Sequence, residues 1–160
     1  MTETQPSAAS HDFTVTRVFD APVERVWEAW TDPELVKQWW GPHGFSAPVC
    51  KMDFRETGTT LVSMKSPHFG EIFNTWTYGR IEPNSRIEFV MRFSDPEGRP
   101  IDPIAPGVPE EVPHVVTFKD LGDGRAEMSI TEYGYSSAEA AEMSKAGQEQ
   151  VVEKMATVIS

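Results

Sequence analysis

Apolar and polar positions alternate from Phe13 to Phe19, with Phe13, Val15, Arg17 and Phe19 on one side and Thr14, Thr16 and Val18 on the other. A β-branched run of this kind predicts a strand ending at Asp20. The period then changes. Pro22 suits the first position of a helix, and Val23, Val26, Trp27 and Trp30 follow at helical spacing. A second start comes at once in Thr31-Asp32-Pro33-Glu34, with Leu35, Val36, Trp39 and Trp40 as its apolar side and Gly41-Pro42 as its stop. The two short helices make one hinge-like unit.

From Phe45 to Gly134 the pattern is one of strands and turns. Runs at Cys50 to Phe54, Thr59 to Lys65, Ile72 to Glu82, Arg86 to Phe93, His114 to Leu121 and Arg125 to Tyr133 predict about six strands. Glu56-Thr57-Gly58, Glu82-Pro83-Asn84-Ser85 and Gly122-Asp123-Gly124 join neighbouring runs at hairpin distance, so consecutive strands pair antiparallel. Between Ser94 and Pro113, six prolines remove donors and fix kinks, which predicts a long loop. Ser136-Ser137-Ala138-Glu139 reads as a capping box with Ser136 as the cap, and the helix it opens runs to the terminus. Ala140, Met143, Gly147, Val151, Met155 and Val158 share one face of that helix.

The order is therefore strand, two short helices, about six strands and a long helix, an α+β chain without internal repeats. Residues 1–11 are small and polar without periodicity and are expected to be a flexible tail, leaving 12–160 as a single domain.

Composition narrows the function classes. A net charge of -11 repels phosphate backbones and anionic headgroups, which argues against nucleic-acid and membrane binding. No stretch approaches a membrane span, and the polar start lacks the features of a signal peptide, so a cytoplasmic location is expected. Cys50 is the only cysteine, which excludes an intrachain disulfide and suits a reducing compartment; in its strand context it reads as a packed thiol.

Several segments carry a family resemblance: Phe19-Asp20-Ala21-Pro22, Trp30-Thr31-Asp32-Pro33-Glu34, Trp39-Trp40-Gly41-Pro42-His43-Gly44-Phe45, Pro48 to Arg55, Val116 to Gly122 and Ser137-Ala138-Glu139. Across roughly residues 13 to 158 the chain resembles the bacterial relatives of the activator of Hsp90 ATPase (AHSA1-like), within the START-like, Bet v 1-like (SRPBCC) superfamily. The resemblance implies a helix-grip fold: a curved antiparallel sheet of about seven strands around the long C-terminal helix, with two short helices after the first strand, enclosing a cavity. The wider superfamily includes lipid binders, polyketide cyclases and ring hydroxylase subunits, and shared fold does not fix shared chemistry. Two departures bear on cavity shape. Gly147-Gln148 stands where relatives often carry Gly-Trp, and Gly58-Thr59 where Gly-Gly is common.

Large apolar side chains either fill a core solidly or line an adaptable pocket. With a helix-grip fold the second reading gains weight, because one helix does not fill the concave face of a curved sheet. The candidate ligand-binding residues are Trp39, Trp40, Phe54, Met64, Trp76, Tyr78, Phe89, Met91, Phe93, His114, Val116, Phe118, Met143, Gly147 and Val151. Strand parity puts Ile87, Phe89, Met91 and Phe93 on one face, and His114, Val116 and Phe118 on one face of a neighbour. Within Ile72 to Glu82, parity leaves open whether Trp76 and Tyr78 or Phe73, Thr75, Thr77 and Ile81 point inward. Gly147, in mid-helix, suggests close approach of the helix to the sheet or a ligand. One of Trp39 and Trp40 is expected in the core, and the other at a mouth between the short helices and the Pro-rich loop.

Arg55, Glu71, Asn74, Tyr78, His114 and Gln150 are polar groups able to orient a ligand, and none stands in a recognisable catalytic spacing. His11, His43, His68 and His114 are dispersed, so neither a metal nor a cofactor is expected. The leading expectation is a module that binds a small apolar molecule rather than an enzyme. Its competitors are a polyketide-cyclase-like enzyme, in which His114, Glu71 or Tyr78 moves a proton, and a co-chaperone-like surface for an Hsp90-type partner. The strand edges and acidic surface are compatible with a monomer or a homodimer.

Overall fold

The computed structural model describes residues 11–159. Its elements in chain order are β1 (His11–Phe19), α1 (Val23–Thr31), α2 (Pro33–Trp39), β2 (Cys50–Lys51), β3 (Thr59–Ser66), β4 (Gly70–Glu82), β5 (Arg86–Ser94), β6 (Val112–Gly122), β7 (Arg125–Tyr135) and α3 (Ala138–Ile159). The strands form one antiparallel sheet in the order β1-β7-β6-β5-β4-β3-β2. The meander follows from its turns: Asn84 and Asp123 take positive φ at 60° and 56°, left-handed values that Asn and Asp tolerate better than other side chains.

Several boundaries differ from the sequence reading. His11 pairs with Tyr135 and so belongs to β1, while the rest of the expected tail, residues 1–10, and the last residue of the expected helix, Ser160, lie outside the described residues. The second strand shrinks to two residues. Pro113 sits inside β6 opposite Val90, where its fixed φ is accommodated near the strand start. Pro22 precedes α1 as its cap residue instead of opening the helix. The cap of α3 is Ser137, whose Oγ accepts from the Ala140 amide at 3.1 Å, because the helix starts one residue later than the Ser136 box requires.

The concave face carries the core. In β4 the inward residues are Asn74, Trp76 and Tyr78, which settles the parity left open by the sequence. Thr75 is also buried, on the opposite face, where the Pro-rich segment brings Gly98 to it. A run of aromatic contacts crosses the core: Trp30 lies 4.7 Å from Trp39, Trp76 stacks on Phe89 at 5.0 Å, and Phe89 stacks on His114 at 4.6 Å between ring centres. Trp39 is fully buried, its indole N–H donating to the Ala29 carbonyl at 2.8 Å, so the two short helices lock together through that side chain. α3 packs on β1 and against α1 and α2, and this placement leaves part of the concave face beyond its reach.

Candidate functional site

Between α3 and strands β3 to β7 lies a cavity of about 190 Å³. Its apolar wall is Met64 of β3, Met91 and Phe93 of β5 and Val151 of α3, closed on one side by Trp40, Gly41 and Pro42 from the turn after α2. Gly147 faces the same space: a Cβ built there meets nothing within 4 Å. The expectation that this glycine permits tight helix packing is therefore corrected, since the missing side chain leaves volume rather than allowing contact.

Seven of the sequence-predicted residues meet around this space: Trp40, Met64, Met91, Phe93, His114, Gly147 and Val151. Trp39, Trp76, Tyr78, Phe89, Val116 and Phe118 belong instead to the packed core, where neighbouring rings and strands already cover them, and Phe54, half-buried, packs against that core. Phe54, for instance, is set edge-on against Tyr78 at 5.0 Å. Met143 is corrected outright: it is 71% exposed, because helical rotation carries it off the face shared by Gly147 and Val151. The Pro-rich loop is absent from the lining; its Gly107 carbonyl accepts from Ser136 N beside the start of α3.

A polar group forms one end of the cavity. His114 and Glu132 are direct cross-strand partners on β6 and β7. The Glu132 carboxylate accepts from the Tyr135 hydroxyl at Oε1, 2.6 Å away, and from the Gln148 side-chain amide at Oε2. His114 Nδ1–H donates to the Val112 carbonyl at 2.9 Å, which leaves Nε2 facing Glu132 Oε2 at 3.4 Å. A second proton on the ring would make that contact an ion pair. Burial acts to raise the Glu132 carboxyl, but the charge of His114 and the hydrogen bonds from His114, Tyr135 and Gln148 outweigh it and hold the carboxyl below the usual glutamate range. Burial, followed by the neighbouring carboxylate, pushes the Tyr135 phenol up, which keeps it a donor.

Asn74 of β4 also lines the cavity, at 1% exposure, and neither its amide nitrogen nor its amide oxygen has a partner among the described residues. The Trp40 indole N–H is likewise buried and unpartnered. The other polar candidates are engaged elsewhere. Arg55 pairs with Asp53, Glu71 accepts from Ser63, the Tyr78 hydroxyl bonds Thr60 and Gln150 accepts from the His43 amide. Glu132, Tyr135, Ser144 and Gln148 were not anticipated. The signal for Glu132 was present in strand parity, which puts it in phase with the buried Ala126, Met128 and Ile130. Among the described residues no group of three or more His, Cys, Asp or Glu is placed to hold a metal ion.

The turn beside the cavity is held from α3. Lys154 Nζ donates to the carbonyls of Gly41 at 2.9 Å, Phe45 at 3.2 Å and Trp40 at 3.4 Å, and His43 Nε2 meets Glu153 at 2.9 Å. One cation thus gathers three carbonyls of the turn that follows α2.

A curved antiparallel sheet gripping a long C-terminal helix, with a cavity between them, defines the helix-grip class of the START-like, Bet v 1-like superfamily. Residues 20–160 match the family described as Activator of Hsp90 ATPase homolog 1-like protein, and the chain belongs to that family. Among solved structures, a Chromobacterium violaceum protein is 27% identical, with TM-score 0.77 over 92% of this chain and 96% of that one. An Arthrobacter aurescens protein solved by NMR is 28% identical, with TM-score 0.78 over 98% and 89% of the two chains. The AHSA1 protein of Silicibacter pomeroyi, at 18% identity and TM-score 0.75 over 92% and 96%, shares the fold. No curated protein matches the chain in sequence.

Proposed function

We propose that the protein binds a small, largely apolar molecule in the cavity between the sheet and α3. The observation that carries this reading is the space of about 190 Å³ walled by Met64, Met91, Phe93 and Val151 and open on one side, with Gly147 contributing no side chain to fill it. A concave site of this size, lined by adaptable Met and aromatic side chains, favours an occupant. An engineered apolar cavity of about 150 Å³ takes benzene, which sets the scale at a single substituted ring or a short branched chain. At the polar end both Glu132 oxygens accept hydrogen bonds and His114 Nε2 faces that carboxylate, an arrangement that suits a polar wall orienting a bound molecule. The single thiol, Cys50, favours a cytoplasmic setting.

The test is a titration of the purified protein with isopropylbenzene, followed by Trp fluorescence and by native mass spectrometry, with organic extraction of any retained molecule. One-to-one binding is expected, weakened at least about tenfold by Gly147→Leu, which fills the space while removing a mid-helix glycine that costs about 1 kcal/mol. Wild-type protein that takes up neither isopropylbenzene nor any extracted molecule would sink the reading.

A further inference from the structure

We infer that Asn74 is the recognition group of the cavity, and that the ligand is a neutral ring-sized molecule carrying a carbonyl beside a hydrogen-bond donor. This rests on the binding reading above and names the chemistry of its occupant.

Burying an amide without partners is destabilising, because the hydrogen bonds it made to water are not replaced. Asn74 stands in that condition in the middle of β4, between Trp76 on its own strand and Phe93 opposite it on β5. Nothing in the packing of the sheet calls for a polar side chain there. The same strand face carries Trp76 and Tyr78, and the Tyr78 hydroxyl is satisfied by Thr60 at 2.8 Å, whereas the Asn74 amide is not satisfied by any neighbour. Other buried polar groups beside the cavity are paired: Glu132, Tyr135, Gln148 and His114 satisfy one another or the backbone. Asn74 and the Trp40 N–H are the two lining groups left over.

Their inventory specifies the complement. A carboxamide presents a donor and an acceptor on one edge, and the Trp40 indole adds a donor only. A carbonyl oxygen accepts from Asn74 Nδ2 or Trp40 Nε1, and an adjacent N–H or O–H donates to Asn74 Oδ1. Carboxamides, lactams and hydroxyketones have this edge. An anion is disfavoured, because neither Lys nor Arg is among the lining residues: Lys154 is committed to the carbonyls of Trp40, Gly41 and Phe45, and His114 faces the Glu132 carboxylate. The volume limits the apolar part to about one ring.

The experiment compares benzamide with its near-isostere isopropylbenzene on wild type, Asn74→Leu and Trp40→Phe, by calorimetric or NMR titration. The quantity read is the ratio of the two dissociation constants, which cancels general effects of a substitution on the cavity. Asn74→Leu is expected to shift this ratio at least tenfold toward isopropylbenzene, with the melting temperature retained or raised because an unpartnered amide has been removed. Trp40→Phe, which keeps a ring in place, is expected to shift it in the same direction by a smaller factor and serves as the second variant should Asn74→Leu fold poorly. Wild type that binds isopropylbenzene with a ratio unmoved by either substitution overturns this inference and leaves the binding reading standing. Wild type that binds neither probe overturns this inference, and if it also yields no extracted molecule the binding reading falls with it.

Discussion

Gln148 on α3 donates its side-chain amide to Glu132 on β7, so the long helix is tied to the sheet by a buried polar contact at one end of the cavity. Glu132 accepts there from Tyr135 as well and faces His114. Removing the acceptor strands all three partners. Glu132→Leu is therefore expected to cost about 3–5 kcal/mol in urea unfolding, the range for breaking a buried pair from one side, whereas Gln148→Leu removes a single donor and costs about 1–2 kcal/mol.

The same carboxylate makes stability depend on pH. Its folded value lies below the ordinary glutamate value of about 4.5, so the unfolded chain takes up the proton first as pH falls. The contribution of Glu132 is complete above that ordinary value and is lost as pH drops through the lower folded value. Acid titration monitored by circular dichroism should show Glu132→Gln losing less stability than wild type between about pH 5 and the acid transition.

Lys154 is the second tie between α3 and the region around the cavity. Lys154→Met keeps the aliphatic stem but frees the carbonyls of Trp40, Gly41 and Phe45. A loss of about 1–2 kcal/mol is expected, discounted for the partial exposure of the ammonium. Hydrogen exchange should speed up at residues 41–46 while the amides of β5 to β7 keep their protection, and uniform acceleration would count against a local role.

Two glycines facing α3 or lying within it make a paired test. Gly107 has φ +82°, and a Cβ there would lie 2.6 Å from Ala140 Cβ, so Gly107→Ala is expected to cost about 2–4 kcal/mol from overpacking and left-handed backbone strain together. At Gly147 a Cβ meets nothing within 4 Å, so Gly147→Ala is expected to stabilise by up to about 1 kcal/mol. Calorimetric melting of the two variants should move in opposite directions.

Burial pushes the Cys50 thiol up to about 11; Lys37 acts to lower it and Glu34 and Asp32 to raise it. Its thiolate is scarce at pH 8, and alkylation by iodoacetamide is expected to run on the order of 100-fold slower than that of an unfolded control peptide. A rate close to the control would show that the β2 region opens readily.

How much of this was legible beforehand varies by element. The strands from Thr59 to Tyr135 and their antiparallel pairing follow from period-two alternation and turn residues, both local properties. Parity also put Met91 and Phe93 on one face and His114 on the corresponding face of its neighbour, and the structure places all three at the cavity. Trp76, Tyr78 and Phe89 obey the same parity and yet lie in the packed core. Periodicity tells which way a side chain points; it does not tell whether a helix lies over it. Met143 shows the same limit from the helix side, since three- and four-residue spacing admits a stripe wider than the face α3 buries.

The sequence by itself determined the elements, their order and their antiparallel pairing, because each depends on spacing along the chain or on a turn of a few residues; which face of β4 points inward was left to the tertiary structure. Only the tertiary structure decided where empty space remains, which buried polar groups find partners and which do not. Those outcomes depend on where α3 lies on the sheet, and that position is set by contacts between segments as far apart as Trp40 and Val151, which no local pattern records.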